Sequence, residues 1–557
     1  MKTKAFEKIK NVRNKPFSAL KYALLAYLLL TVIYPIVRLF FTITGEDIKG
    51  VFTAAQFWPM LQNSLITTLI ATVLSVGGAF AVAYCLNRSR VRFKAVWVIL
   101  FTVPMLIPSI SHGMGLVLLF GDNGIFNNLF GVDINLYGYT GIIMGSILYS
   151  FPVAFLMFYD SFQYEDFTIY ESASVLGVNK PRQFLKITLP SMSRTIVSAV
   201  LSVFTMVFTD YGVPLMTGGT VMTLPVYMYR EVIGMLNFSG GAVVGAILIL
   251  PALIAFLADL KSNSTGASST VTKPYKIEKN TKRDVLAYVA LALTLIVLCM
   301  PVIAFACLGF VKQYPIDWSF SFANVDKLLQ NGLGMGLVNS LAVALLTALI
   351  GTVLSYFSAY AIVRSKKQIP NKVLHLCSLL SMAIPGVVLG LSYAMAFKGI
   401  PIYTTIFILV IVNIAHFFSS PYLMAYNSLS KFNPNLEDVA QTLGVGKMRL
   451  LTAVYMPSTV STIIEMYSYY FVNSMITISA VSFLINFRTT PLSLMIPQLE
   501  SQSFIEGTAL VSLLILALNL IEKGIAFLVK AYADRKERKL LAVSEIESAD
   551  KEVKDVK

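Results

Sequence analysis

Glu171 to Pro190 reads ESASVLGVNKPRQFLKITLP, and Asp438 to Pro457 reads DVAQTLGVGKMRLLTAVYMP. Aligned without a gap, both stretches open on an acid (Glu171, Asp438) and carry Ala two positions on (Ala173, Ala440). Leu-Gly-Val follows as Leu176-Gly177-Val178 and Leu443-Gly444-Val445, then Lys180/Lys447, Arg182/Arg449 and Pro190/Pro457. Both lie between long apolar runs, so one polar, glycine-centred loop recurs once in each half of the chain. Ala keeps a helix face low enough for close approach, and Gly at a helix C-terminus permits the left-handed turn that ends it. Pro suits the opening of the next helix. The pattern predicts two short helices ending at Gly177 and Gly444 with positive φ, and one kind of surface used twice.

The surrounding composition sets the class. The 557 residues are 56% hydrophobic and only 13% charged, with mean hydropathy +0.72; soluble domains carry about 25% charged residues. The chain therefore reads as an all-α, polytopic membrane protein. Its net charge of +15 sits in short loops between apolar runs, where it marks cytoplasmic loops rather than nucleic-acid binding. Cys85, Cys299, Cys307 and Cys377 fall in apolar segments without metal spacing and read as packing residues. Leu20 to Phe41 is too long for a cleaved signal and reads as a first span.

About twelve apolar runs have the roughly 20 residues that crossing requires. They lie near 20–42, 61–86, 93–120, 137–160, 195–215 and 239–260, then 285–311, 337–363, 373–397, 401–427, 459–485 and 506–530. Basic clusters (Lys2 to Lys15, Asn87 to Arg92, Arg364 to Lys367) alternate with acidic loops (Glu46 and Asp47; Asp122 and Asp133). That alternation places both termini and both Gly-centred loops, 164–192 and 431–458, in the cytoplasm. Residues 261–283, rich in Ser, Thr and Lys, read as a flexible cytoplasmic linker between a first half, 1–260, and a second, 284–530. The charged tail 531–557 reads as a short helical extension that frays.

The halves repeat outside the loops too. Asn63-Ser64-Leu65 matches Asn339-Ser340-Leu341, Arg88-Ser89 matches Arg364-Ser365, Ile107-Pro108 matches Ile384-Pro385, and Leu156-Met157 matches Leu423-Met424. Six spans per half make this a parallel repeat with the pathway on its pseudo-twofold axis.

Few residues inside the spans can carry chemistry. Pro108 and Pro385 sit mid-span, as gate-lining bends or as tolerated kinks. Asp210, in Phe208-Thr209-Asp210-Tyr211-Gly212-Val213-Pro214, would cost roughly 2.5–3.5 kcal/mol at a helix centre in lipid. It therefore faces the pathway, with Tyr211 beside it, or caps a break before Gly212. Glu465 reads as snorkelling to the cytoplasm. His112, His375 and His416 lack carboxylates at metal spacing and read as buried, hydrogen-bonded side chains, with no metal site. Gly444-Val445-Gly446-Lys447 lacks the full phosphate-loop pattern, and no ATPase motif or cofactor box is present.

The two loops resemble the EAA loop of ABC-importer permeases, the MetI-like membrane subunits of binding-protein-dependent importers. That family's pattern is Glu-Ala-Ala, then Gly, then Leu-Pro. Here Ser172 and Val439 replace the first Ala, Asp438 replaces the second Glu, and Leu-Pro survives only as Leu189-Pro190. The segment 208–214, with Gly218-Gly219 after it, resembles permeases for iron(III) and for 2-aminoethylphosphonate; sulfate, thiamine and polyamine permeases are more distant. The resemblance implies a fused two-half permease in a bacterial inner membrane. It implies two cytoplasmic ATPase copies, an extracytoplasmic binding protein, and no cofactor in this chain. It also implies that the loops present Glu171/Ala173 and Asp438/Ala440 to ATPase grooves, with Leu176, Lys180, Arg182 and Pro190, and Leu443, Lys447, Arg449 and Pro457, in the same surfaces. The alternative is an ion-coupled transporter with two six-helix halves; Leu86 to Val91 lacks the Gly and Asp of that class's basic loop.

Overall fold

The computed structural model describes residues 19–131, 135–263, 273, 275–364 and 369–555, and side chains over the same residues except 259–263 and 536–555. The N-terminal basic cluster, Asp133, most of the Ser/Thr stretch of the linker, and Lys366 and Lys367 lie outside them.

Each predicted apolar run holds at least one helix. Seven helices are long and apolar enough to cross a bilayer: Ala19–Phe41, Phe57–Arg88, Tyr139–Gln163, Phe238–Ala258, Thr281–Leu308, Leu333–Val363 and Ile505–Arg535. Four more qualify only as bent pairs. Lys94–Leu106 with Ser109–Phe130 bends by 93°, and Ile369–Ala383 with Gly386–Phe397 by 111°. Lys180–Ser191 with Ser193–Phe208 bends by 63°, and Ile406–Phe417 with Ser419–Ser430 by 53°. The run predicted near 459–485 holds a helix of only 17 residues, Val460–Ile476. Its counterpart Ser193–Phe208 has 16, so both stop early at the same place in the repeat.

Each half is built on three helices in mutual contact: Phe57–Arg88, Tyr139–Gln163 and Ser193–Phe208 in the first, Leu333–Val363, Ser419–Ser430 and Val460–Ile476 in the second. Their contact faces are small. Ser64, Thr67, Thr68, Ala71, Thr72, Ser75 and Ala79 are buried at helical spacing in Phe57–Arg88, and Ser340, Ala344, Thr347, Ala348, Gly351 and Ser355 in Leu333–Val363. Without a hydrophobic drive between helices in lipid, such faces gain contact and interhelical hydrogen bonds. The hydroxyls of Ser75 and Ser150 meet at 2.9 Å, and those of Ser355 and Tyr470 at 2.6 Å. At Gly351 an added Cβ would lie 2.8 Å from the Tyr470 ring.

The halves interlock through exchanged helices. Ala19–Phe41 packs on Gly386–Phe397 of the second half, where Tyr393 donates to the Thr31 carbonyl at 2.6 Å. Thr281–Leu308 packs on Ser109–Phe120 of the first, where a Cβ on Gly115 would fall 2.4 Å from Pro301.

Two expectations need correction. The tail is not a short extension: one helix runs Ile505–Asp555. After Gly524 this stretch has neither Gly nor Pro and is rich in Ala, Leu, Lys, Glu and Arg, the best helix formers. The all-α class stands, with one short antiparallel hairpin, Val311–Gln313 paired with Asp317–Phe320, after the seventh span. The start of the linker, 261–263, continues the helix Phe238–Asn263.

Candidate functional site: paired loops and a cavity between the halves

The two Gly-centred loops fold alike. Phe167–Val175 ends at Gly177, φ +71°, and Leu436–Thr442 ends at Gly444, φ +70°. Val178 N–H donates to the Ala173 carbonyl at 2.9 Å and Gly177 N–H to Ser174 at 3.0 Å; Val445 to Ala440 and Gly444 to Gln441 repeat this at 2.8 and 3.1 Å. This is the Schellman turn, in which a left-handed residue satisfies the helix's last carbonyls. A Cβ on either glycine would meet nothing within 4 Å. Glycine is set here by backbone conformation, not by crowding within the chain. One π-helical turn follows in each loop, Phe184–Thr188 and Leu451–Tyr455, just before Pro190 and Pro457.

Ala173 and Ala440 do not face outward as expected. Both are buried, because the turn folds back over the position whose carbonyl it caps. The presented apolar residues are Val175 and Leu176 in the first loop (88% and 80% exposed) and Val439 and Leu443 in the second (53% and 74%). Lys180, Arg182 and Arg449 are exposed beside them, while Lys447 is half-buried and its carbonyl accepts from Tyr360 Oη at 3.1 Å.

A buried arginine at the end of an earlier spanning helix anchors each loop, a feature read in the sequence only as a charge marker. Arg88, last residue of Phe57–Arg88, pairs with Glu165; both side chains are under 8% exposed. Arg364, at the end of Leu333–Val363, holds Glu437 through Nε and Nη2, both at 2.5 Å, and donates to the Phe432 and Asn433 carbonyls. The acid is not at the same repeat position. At the loop offset of 267, Glu165 corresponds to Phe432 and Tyr170 to Glu437, so acid and ring have changed places. Their partner changes with them. Tyr170 Oη lies 2.9 Å from Thr188 Oγ1, and Tyr455, the counterpart of Thr188, donates to Glu437 at 2.7 Å. An acid at either position satisfies a buried guanidinium, whose unpaired burial would be costly.

The first loop carries an addition. The segment leading into the seventh span crosses it: Phe167 N–H donates to the Lys273 carbonyl at 2.9 Å, and the Tyr275 ring centroid lies 3.3 Å from the Arg88 guanidinium. Lys273 pairs with Glu171 and Lys180 with Glu278, each at 2.7 Å. The hydrogen-bonded Lys180 ammonium holds Glu278 below the usual carboxylate range.

At the opposite ends of the same helices, the repeated Asn-Ser pair acquires a role. Ser64 Oγ accepts from Leu224 N–H at 2.8 Å and Ser340 Oγ from Leu492 N–H at 2.7 Å. Each pair pins the start of a short helix, Leu224–Gly234 or Leu492–Ser501.

Between the halves lies a cavity of about 250 Å³ where the broken helices converge. Asp210 both lines it and caps a break: Oδ2 accepts from Val213 N–H at 2.9 Å, with Gly212 N–H and Ser109 as further donors. Pro385 lines it from the second half. Pro108 is buried at the matching bend and Tyr211 is buried with its hydroxyl 2.5 Å from Ser482 Oγ; neither is among the cavity's lining residues. Tyr211 ties the halves together instead. His375 Nδ1 meets Tyr422 Oη at 2.5 Å, as expected of a hydrogen-bonded histidine. His112 Nε2 meets the Pro104 carbonyl at 3.0 Å, but its Nδ1 is buried without a partner. His416 Nδ1 is likewise buried without a partner, and its ring lines the cavity. Glu465 pairs with Lys530 of the last helix. Among the described residues no three His, Cys, Asp or Glu side chains gather as a metal cluster.

The family model for the binding-protein-dependent transport system inner membrane component matches residues 75–260 and 351–531, once in each half. The ferric transport system permease protein FbpB of Actinobacillus pleuropneumoniae is 24% identical over 518 residues, 87% of this chain and 74% of that protein. A putative FbpB 1 of Haemophilus influenzae is 22% identical over 82% of this chain and 76% of its own. A spermidine/putrescine permease PotC homolog of Mycoplasma pneumoniae is 30% identical over 36% of this chain and 68% of its own. The solved bacterial ABC transporter involved in import of the acidic polysaccharide alginate aligns with 47% of this chain and 100% of its own, at TM-score 0.38 and 16% identity. With the family's pattern in both halves, this chain belongs to the inner-membrane components of binding-protein-dependent transport systems.

Proposed function

We propose that the chain is a two-half permease of an ATP-driven importer of iron(III), seated on two cytoplasmic ATPase copies and served by an extracytoplasmic binding protein. The observation that carries this reading is the pair of loops. Each presents the same Schellman-ended helix with exposed apolar residues, and each is fastened to a spanning helix by a buried arginine. Approach of the two ATPases would displace the loops. The Arg88–Glu165 and Arg364–Glu437 pairs would carry that movement into Phe57–Arg88 and Leu333–Val363, and so rock one half against the other. ATP hydrolysis belongs to the separate subunit.

Iron(III) is favoured over 2-aminoethylphosphonate by the names of the two long-matching relatives. Family membership argues against the ion-coupled alternative. The test is Gly177→Arg with Gly444→Arg. The left-handed backbone at each site costs a non-Gly residue of order 1 kcal/mol or more, and a long side chain lifts the loop from a close-packed partner. The double variant should insert at near-normal levels, fail to co-purify with its ATPase, and import nothing. A double variant that retains stoichiometric ATPase would overturn the docking assignment.

A further inference from the structure

The cavity between the halves has a lining of unusual composition for its depth. Its residues include one carboxylate (Asp210), two phenols (Tyr149, Tyr469), an imidazole (His416) and several Ser and Thr hydroxyls, and none is Lys or Arg. Its place in the repeat is specific. Tyr149 and His416 are counterparts at the offset of 267, so the same position in each half delivers a different donor to one space. Gly212 and Ser479 are counterparts as well. The close contacts of the two breaks mirror each other, Ser109 against Gly212 in one half and Gly386 against Ser479 in the other. Gly386 makes room for the imidazole, since a Cβ there would fall 3.0 Å from His416 Nε2. Two polar atoms of the lining, His416 Nδ1 and Thr205 Oγ1, are buried with no hydrogen-bond partner. Buried polar atoms are rarely left unpaired without a reason such as an unseen ion or ligand.

These donors suit a hard metal cation, which prefers carboxylate and other oxygen ligands and accepts imidazole, and they offer no cationic side chain to an oxyanion. We propose that the cavity is a transit site for iron(III), contacted by Asp210, Tyr149, Tyr469 and His416, and that this site selects cationic cargo over free sulfate, phosphate or phosphonate. The proposal rests on the ferric reading above and adds to it a selective step within the membrane. The site is read as one of passage, because conduction needs binding weak enough to release, and among the described residues no three His, Cys, Asp or Glu side chains gather there.

The test uses the whole importer, with its ATPase and binding protein, in proteoliposomes supplied with radioactive iron(III) as its nitrilotriacetate complex. Asp210→Asn keeps an oxygen to cap the Val213 amide but removes the charge. It should lower iron uptake at least tenfold while ATPase co-purification stays at wild-type level, and Asp210→Glu should recover a substantial part. His416→Gln breaks no hydrogen bond made by Nδ1, so it should fold even where an Asp210 variant does not, and should lower uptake at least threefold. Wild-type uptake in both Asp210→Asn and His416→Gln, in an importer that moves iron, would overturn the transit site and leave the ferric reading standing. An unaltered importer that moves sulfate, phosphate or 2-aminoethylphosphonate but not iron would overturn both.

Discussion

Arg88 and Arg364 show how a repeat keeps a function while changing its residues. Each guanidinium is buried at the end of a spanning helix and must find an acid in the loop beyond. The first half supplies Glu165 with Tyr170 and Thr188; the second supplies Glu437 with Phe432 and Tyr455. Removing one partner of a buried pair costs about 3–5 kcal/mol, because the other charge is left unpaired. Glu437→Gln should therefore lower the melting temperature of the purified chain and reduce ATPase-coupled uptake. Phe432→Glu, Glu437→Tyr and Tyr455→Thr made together in place of Glu437→Gln, which copies the first half, should retain more of both than Glu437→Gln or Glu437→Tyr alone. If the triple variant is as unstable as Glu437→Gln, the two clusters are not interchangeable solutions. At this scale the sequence was legible for Gly177 and Gly444, where spacing and residue type both demand a left-handed turn. It was not legible for the arginine pairs. Arg88 and Arg364 align, but their acids do not, and an alignment read position by position hides an exchange between positions 165/432 and 170/437. Ala173 and Ala440 misled for a related reason: a small residue permits close approach without saying whether the neighbour is a partner or the loop's own turn.

Among elements, the segment before the seventh span makes the two loops unequal. Residues 275–280 lie on the first loop, with Tyr275 against Arg88 and Tyr170 and Glu278 on Lys180. The exposed ion pairs are worth little, at most about 1 kcal/mol each; the aromatic contact with a desolvated guanidinium is worth about 2 kcal/mol or more. Tyr275→Ala should accordingly loosen the first loop alone. Limited trypsin digestion should cut faster after Arg182 and no faster after Arg449, and equal acceleration at both would show that this segment does not brace the first loop. The composition of 261–283 suggested only a flexible linker, because one Tyr among Lys and Ser carries no periodic signal. The helix breaks were more visible. Pro108 and Pro385 announced bends, though neither residue type fixes a bend near 100°, which depends on the Ser109/Gly212 and Gly386/Ser479 contacts from elsewhere in the chain.

For the whole molecule, the interlocked halves and the alternating charge predict one orientation, with the loops, the linker and both termini in the cytoplasm. Cysteines introduced at Asp122 and at Lys276, both exposed, should differ on whole cells: an impermeant maleimide should label the first and not the second, and the reverse pattern would invert the topology. Most of the six-plus-six plan was legible, as seven long helices and four bent pairs, because hydropathy reports length directly. The short eleventh run was not, since Thr477 onward is apolar enough to continue a span while the backbone leaves the helix. The central claim is that the two loops are where ATP-driven motion enters this chain. The most direct measurement is site-specific cross-linking of Leu176→Cys and Leu443→Cys to single-cysteine ATPase in the assembled importer, with and without ATP. Both positions should cross-link to the ATPase at yields that change on ATP binding, and Asp122→Cys should give none. Absence of ATPase adducts from both loops, in a complex that still hydrolyses ATP and imports its substrate, would contradict the account.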